Sequence, residues 1–147
     1  MRPHTTISPT SGKLAKSFPE ISNQEVEIAL EEAHHTYVTD WRSRSLAVRA
    51  RVVAHAAAIM RERSEELAGC ITLEMGKLIA QSHFEVEFSA AILMYYANHG
   101  EQFLATRNVP EAPGYVITTE PTRVLVAIEP PPSAARFMAL IADEIFR

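Results

Sequence analysis

A chain of 147 residues and 16.3 kDa has room for one core of ordinary size, and 47% hydrophobic against 22% charged residues suits it to bury one. Its net charge of -4, with basic and acidic side chains interleaved, excludes the broad positive field that draws nucleic acid or anionic membrane, so neither partner is expected. No apolar run approaches the roughly 20 residues that span a bilayer, Met1 to Thr6 lacks the apolar core of a secretory signal, and the single cysteine, Cys70, allows no internal disulfide; a cytoplasmic setting is the expectation.

From Arg2 to Pro19 the chain is rich in Pro, Ser, Thr and Gly, and Ser11-Gly12-Lys13 reads as a turn. By its own chemistry this arm is a loop. At Ile21-Ser22-Asn23-Gln24-Glu25-Val26 the signals for a helix start coincide: Ser22 can accept from the Glu25 amide, the Glu25 carboxylate can reach back, and Ile21 with Val26 can close a hydrophobic staple. Val26, Leu30, Ala33 and Tyr37 then form one apolar face, which requires a partner.

Trp41 falls in a short connection, and a second helix is predicted to begin between Ser43 and Leu46. Its stripe is Leu46, Ala50, Val53, Ala57 and Met60, with Arg49, Arg51, Arg61 and Arg63 mainly off it. Four arginines invite a phosphate-binding reading, but a solvated helix face accounts for them. Ser64-Glu65-Glu66-Leu67 starts a third helix with its acidic residues suited to the dipole, and Gly76 stands where a helix end needs a left-handed residue. The longest helix follows from near Lys77, with Ile79, Val86, Leu93 and Gly100 in one row and His83, Ala90, Ala97 and Leu104 in the next. Pro110 and Pro113-Gly114 end the helical region. Tyr115 to Thr119 and the continuous apolar run Val124 to Ile128 read as strands, the second buried on both faces.

None of the chemistry-bearing residues forms a site by spacing alone. Gly76-Lys77 lacks the earlier glycine of a phosphate loop, since Ile71 stands there, and Leu78 replaces the hydroxyl that would hold magnesium. Cys70 sits within a helical pattern and reads as a packing residue. His4, His34, His35, His55, His83 and His99 show no His-Glu-x-x-His pairing and no cysteine companion for zinc. Glu85 and Glu87 have no evident partner to tune either as a general base.

The order and spacing of Ile71-Thr72-Leu73-Glu74-Met75-Gly76-Lys77, Glu85-Val86-Glu87, Ser89-Ala90-Ala91 and Tyr95-Tyr96-Ala97 closely resemble the N-terminal helical part of NAD(P)-dependent aldehyde dehydrogenases, the succinate-semialdehyde type above all. The resemblance runs from Ile7 to Pro130. It implies an α/β family fold of which this chain holds the mostly helical N-terminal part. The implied divisions are an arm over 1–20 carrying short strands, a helical scaffold over 21–109, a β segment over 110–130 and a divergent tail over 131–147. Within the β segment, Tyr115–Thr119 would be an oligomerisation-type strand and Val124–Ile128 the first strand of the cofactor domain.

Full-length members of that family oxidise an aldehyde to a carboxylate with NAD or NADP: a thiolate adds to the aldehyde, hydride passes to the nicotinamide, and water hydrolyses the thioester. The resemblance places the catalytic cysteine, the general-base glutamate and the cofactor glycine motif beyond this sequence, so the role cannot be carried onto Cys70. Pro131-Pro132-Ser133-Ala134 stands where the family continues with a Trp-Asn-Phe-Pro type motif, and ungapped alignment puts Pro132 at the asparagine that donates to the oxyanion. Proline has no donor to offer. After it, Ala134, Met138, Ile141 and Ile145 recur at helical spacing behind a Ser133 cap. The expectation is therefore a truncated member with no catalytic, cofactor-binding or metal-binding residue of its own, inactive alone and holding no NAD(P). The alternative is a non-catalytic interaction module, or an unstable gene remnant, that associates with itself or with full-length aldehyde dehydrogenase subunits through its helical face or the Tyr115–Thr119 strand.

Overall fold

A computed structural model describes residues 4–120. Two strands, β1 (His4–Ile7) and β2 (Leu14–Phe18), precede four helices: α1 (Asn23–Thr39), α2 (Leu46–Glu62), α3 (Ser64–Met75) and α4 (Ile79–Leu104). A 3-10 turn at Trp41–Ser43 joins α1 to α2, and the strands β3 (Arg107–Asn108) and β4 (Val116–Ile117) follow α4. The expected strand Val124–Ile128, Pro132 and the 131–147 tail lie outside the described residues.

Helix α1 begins where the sequence places it. The Glu25 amide donates to Ser22 Oγ at 3.2 Å, and the Ser22 amide donates to Glu25 Oε2 at 2.8 Å, closing a capping box. The staple does not shelter its members, because Ile21 is 59% exposed and Val26 39%. No residue of α1 is buried, and its main contact is with the adjoining 3-10 turn.

The core lies between α2, α3 and α4. Helix α2 starts at the Ser45 cap, and α3 ends at Gly76, whose φ of 69° is the left-handed conformation that glycine adopts without a Cβ penalty. Both α2 and α3 pack chiefly on α4. The buried cluster consists of Ala56, Ala57, Ile59 and Met60 from α2, Leu67 and Ala68 from α3, and Val86 and Ala90 from α4, with Ile71, Leu93 and Met94 partly buried against it. Small residues at Ala57, Ala68 and Ala90, each fully buried, let the helix axes approach. At 26 residues α4 is the longest helix among those described, as its two rows of seven-residue spacing predict.

Two expectations change. The arm, a loop by its own chemistry, carries over residues 4–18 the short strands that the resemblance implies, as an antiparallel hairpin in which His4 faces Phe18 and Thr6 faces Lys16. Its loop is closed by the Ser8 amide donating to the Lys13 carbonyl at 2.9 Å, with Gly12 at a φ of 67°. Turn chemistry at Ser11-Gly12 was visible, but the flanking residues do not alternate cleanly, and so gave no strand signal. The strand expected over Tyr115–Thr119 shortens to Val116–Ile117 and pairs with Arg107–Asn108. Pro110 and Pro113-Gly114 reverse the chain there, and Tyr115 itself stays 71% exposed.

Candidate functional site

The junction of α3 and α4 brings together Gly76, Lys77 and Glu85. A Cβ added to Gly76 would stand 2.8 Å from Pro9 Cγ, so the loop of the β1–β2 hairpin fills the space where a phosphate loop would hold its ligand. Lys77 is committed to Glu85 by an ion pair. Beneath them the hydroxyls of Thr72 and the fully buried Ser82 share a hydrogen bond of 2.9 Å, and Ser82 also reaches the Leu78 carbonyl. This polar tie between α3 and α4 went unread in the sequence, where Thr and Ser in helical patterns carry no distinctive signal.

Cys70 is half-buried within α3. His83 bonds through Nδ1 to Ser64 Oγ at 3.2 Å and lies 3.4 Å through Nε2 from Glu65. The Nδ1 of His99 donates to the Tyr95 carbonyl at 2.8 Å. His4, His34, His35 and His55 are exposed, and no group of metal-ligating side chains assembles among the described residues. Glu87, read as lacking a partner, receives Arg61 at 2.9 Å across α2 and α4, and Glu85 is taken by Lys77. Both carboxylates are held by cations on exposed or half-exposed surface.

The arginines divide. Arg51 and Arg61 lie on the exposed face, and Arg63 pairs with Glu66 at 2.8 Å. Arg49 does not follow them. It is half-buried, its Nε is sealed from solvent, and no acceptor meets that atom. The signal was present as a second row, Arg49, Val53, Ala56 and Met60 at spacings of four, three and four, which turns inward beside the chosen stripe.

Arg49 lines a cavity of about 220 Å³ between the N-terminal half of α2 and the C-terminal half of α4. Trp41 and Tyr96 supply aromatic wall, Leu46, Val53 and Leu104 aliphatic wall. Gly100 also lies in the lining, and an added Cβ there would meet nothing within 4 Å. Next to the cavity Arg44 bonds both oxygens of Asp40, at 2.8 and 2.6 Å, and its guanidinium sits 5.8 Å from the Trp41 ring. That bidentate hydrogen bond holds the Asp40 carboxyl below, and the Arg44 guanidinium above, their ordinary pKa values.

Helix α4 has a second face. Phe84 and Phe88 stack with ring centres 5.8 Å apart, and Tyr95, His99 and Phe103 continue the line toward the C-terminus. These residues and Ile92 project away from Val86, Ala90 and Leu93, and all but half-buried His99 are exposed. No helix among the described residues is long and apolar enough to cross a membrane.

A model of the aldehyde dehydrogenase family matches residues 2–131. Over 130 residues, 88% of this chain, the sequence is 38% identical to the succinate-semialdehyde dehydrogenase [NADP(+)] of Deinococcus radiodurans, of which it covers 27%. Over 126 residues it is 35% identical to the Escherichia coli succinate semialdehyde dehydrogenase [NAD(P)+], again covering 27%. The succinic semialdehyde dehydrogenase of Streptococcus pyogenes, solved with NADP+, superposes with a TM-score of 0.65 at 31% identity, over 69% of this chain and 22% of that one. An NAD-dependent aldehyde dehydrogenase from Sinorhizobium meliloti gives 0.66 at 31% identity, over 73% and 22%. The chain spans about a quarter of the length of the curated relatives it matches.

Proposed function

Because this chain belongs to the aldehyde dehydrogenase family, we propose that its helical region is the scaffold of an NAD(P)-dependent oxidoreductase acting on aldehydes of the succinate-semialdehyde kind. The observation that carries this reading is α4, apolar on both sides and covered on one. A helix that is hydrophobic all round belongs inside a larger body. The relatives are about four times as long as the portion matched here, which supplies such a body. In this reading residues 21–109 position the remainder of the family fold and touch no reacting atom. Cys70 packs, Glu85 and Glu87 answer cations, and Gly76 closes a helix.

The 147-residue chain by itself then neither holds NAD(P) nor oxidises aldehydes. The test is the pure, tag-free chain given succinate semialdehyde with NAD or NADP, followed in the reduced-nicotinamide absorbance band. No rise is expected; a sustained, aldehyde-dependent rise overturns the reading. The interaction-module alternative draws on the same exposed stripe of Phe84, Phe88, Tyr95 and Phe103. Adding a full-length succinate-semialdehyde dehydrogenase to the same preparation separates the two, since co-sedimentation favours the module and independent boundaries count against it.

A further inference from the structure

The outward face of α4 has an internal symmetry. Phe84, Phe88, Ile92, Tyr95, His99 and Phe103 follow one another at spacings of four, four, three, four and four, a series that reads the same from either end. The last three repeat the first three after eleven residues, a period of about 3.67 per turn that keeps a row on one face of a nearly straight helix. The stripe is about 100° wide and about 28 Å long, and it points away from Val86 and Ala90 in the core. All its members except half-buried His99 are exposed, exposed Tyr96 widens it near the middle, and it contains no acidic or basic side chain other than that histidine. We propose that α4 pairs with α4 of a second copy of this chain, antiparallel about a two-fold axis midway between Ile92 and Tyr95.

A two-fold contact must be self-complementary, and a row that reads alike in both directions meets that condition when reversed on itself. Phe84 of each copy then meets Phe103 of the other, Phe88 meets His99, and Ile92 meets Tyr95. On the flanks Glu85 falls opposite Gln102, Ser89 opposite Asn98 and Glu87 opposite Gly100, so no like charges face each other. A parallel pair would set Glu85 against Glu85 and lay both helix dipoles in one direction. Phe84, Phe88, Tyr95, Tyr96 and Phe103 are each 49–69% exposed, which offers on the order of 500 Å² per copy. The pair would bury about 1,000 Å², the lower bound of a specific interface, so the association is weak and concentration-dependent. The inference rests on the interaction-module reading and supplies its partner and register.

Sedimentation velocity of the full chain over about 1 to 300 µM is expected to show the 16.3 kDa monomer passing into a species of twice that mass, with a Kd on the order of 10 µM. Ile92→Lys, beside the axis, should weaken that association at least about tenfold with helix content retained, because the side chain it replaces is exposed in the single copy. Paired charges read the register. Phe84→Lys with Phe103→Glu in one chain puts opposite charges together at both ends of an antiparallel pair and should keep the dimer at low salt, whereas Phe84→Lys with Phe103→Lys should leave only monomer. A parallel pair would be repelled in both variants. The proposal is overturned by a monomer throughout the range, by a dimer indifferent to Ile92→Lys, or by two double variants that behave alike. A monomer that nonetheless co-sediments with a full-length succinate-semialdehyde dehydrogenase overturns the pairing while the interaction-module reading stands; a monomer that does not removes both.

Discussion

Helix α1 and the α2–α4 bundle have similar helical credentials and opposite means of support. Helix α1 has the better cap, a reciprocal box between Ser22 and Glu25, yet buries none of its residues. Helix α3 has no side-chain cap at its start, where Arg63 serves both as its N-cap and as the C-cap of α2, yet it buries Leu67 and Ala68. The contrast teaches that a cap sets where a helix begins, whereas burial decides whether it persists: about 1 kcal/mol for the first against 1.5–3 kcal/mol per large side chain for the second.

The comparison breaks most sharply at Leu67, 2% exposed between α3 and α4. Leu67→Ala removes its packing and leaves a cavity at the crossing, with an expected loss of about 3 kcal/mol in urea unfolding followed by helix signal. A neutral result would show that the bundle is not the stable unit. Gly76→Ala comes next. The left-handed φ of 69° costs a residue with a Cβ about 1–2 kcal/mol, and the new methyl meets Pro9 Cγ at 2.8 Å. The expected outcome is a loss of about 2 kcal/mol in the same assay, together with faster amide exchange in the β1–β2 hairpin that rests on this turn.

Ser22→Ala sharpens the contrast through its small effect. It should leave the midpoint of the bundle unchanged and lower amide protection in α1 alone, by about 1 kcal/mol. Acid should act on the same place. The Ser22 amide, and then its hydroxyl, hold the Glu25 carboxyl below its ordinary 4.5. A carboxyl depressed in the folded helix contributes stability that is present above its unfolded pKa and is lost as pH falls through the folded one. Fraying of α1 is therefore expected below pH 4.5, and Ser22→Ala, which removes the hydroxyl but keeps the amide that lowers Glu25 most, should weaken that pH dependence without abolishing it. Exchange in α1 that is insensitive to both changes would mean that burial, not the box, holds it.

What the sequence disclosed follows the same division. Cap and stop chemistry is local, so Ser22, Ser64 and Gly76 marked helix ends within a residue or two. Periodicity is local as well, and it gave Ala57, Met60, Val86 and Ala90 their inward faces. Residue type misled at Arg49, which its periodic row turns inward; a charged residue is seldom buried without a partner, and type outweighed position. The hairpin pairings of β1 with β2 and β3 with β4 depend on register between segments, and Pro- and Ser-rich flanks concealed them. The family resemblance was read from the α3–α4 sequence, where Gly76 closes one helix in a left-handed turn and a helix with two apolar sides follows. A scaffold is legible in this way without its chemistry, because no reacting group was needed to shape it.

The order of the bundle along the chain has a kinetic side. Helices α2, α3 and α4 are consecutive, and the tie from Arg61 to Glu87 spans only 26 residues. The crossing at that tie closes a short loop, with a small entropic penalty. Such a unit assembles rapidly and early, while anything encoded after it is still emerging from the ribosome. The uncovered stripe of α4 is then a surface already in place once these three helices have packed.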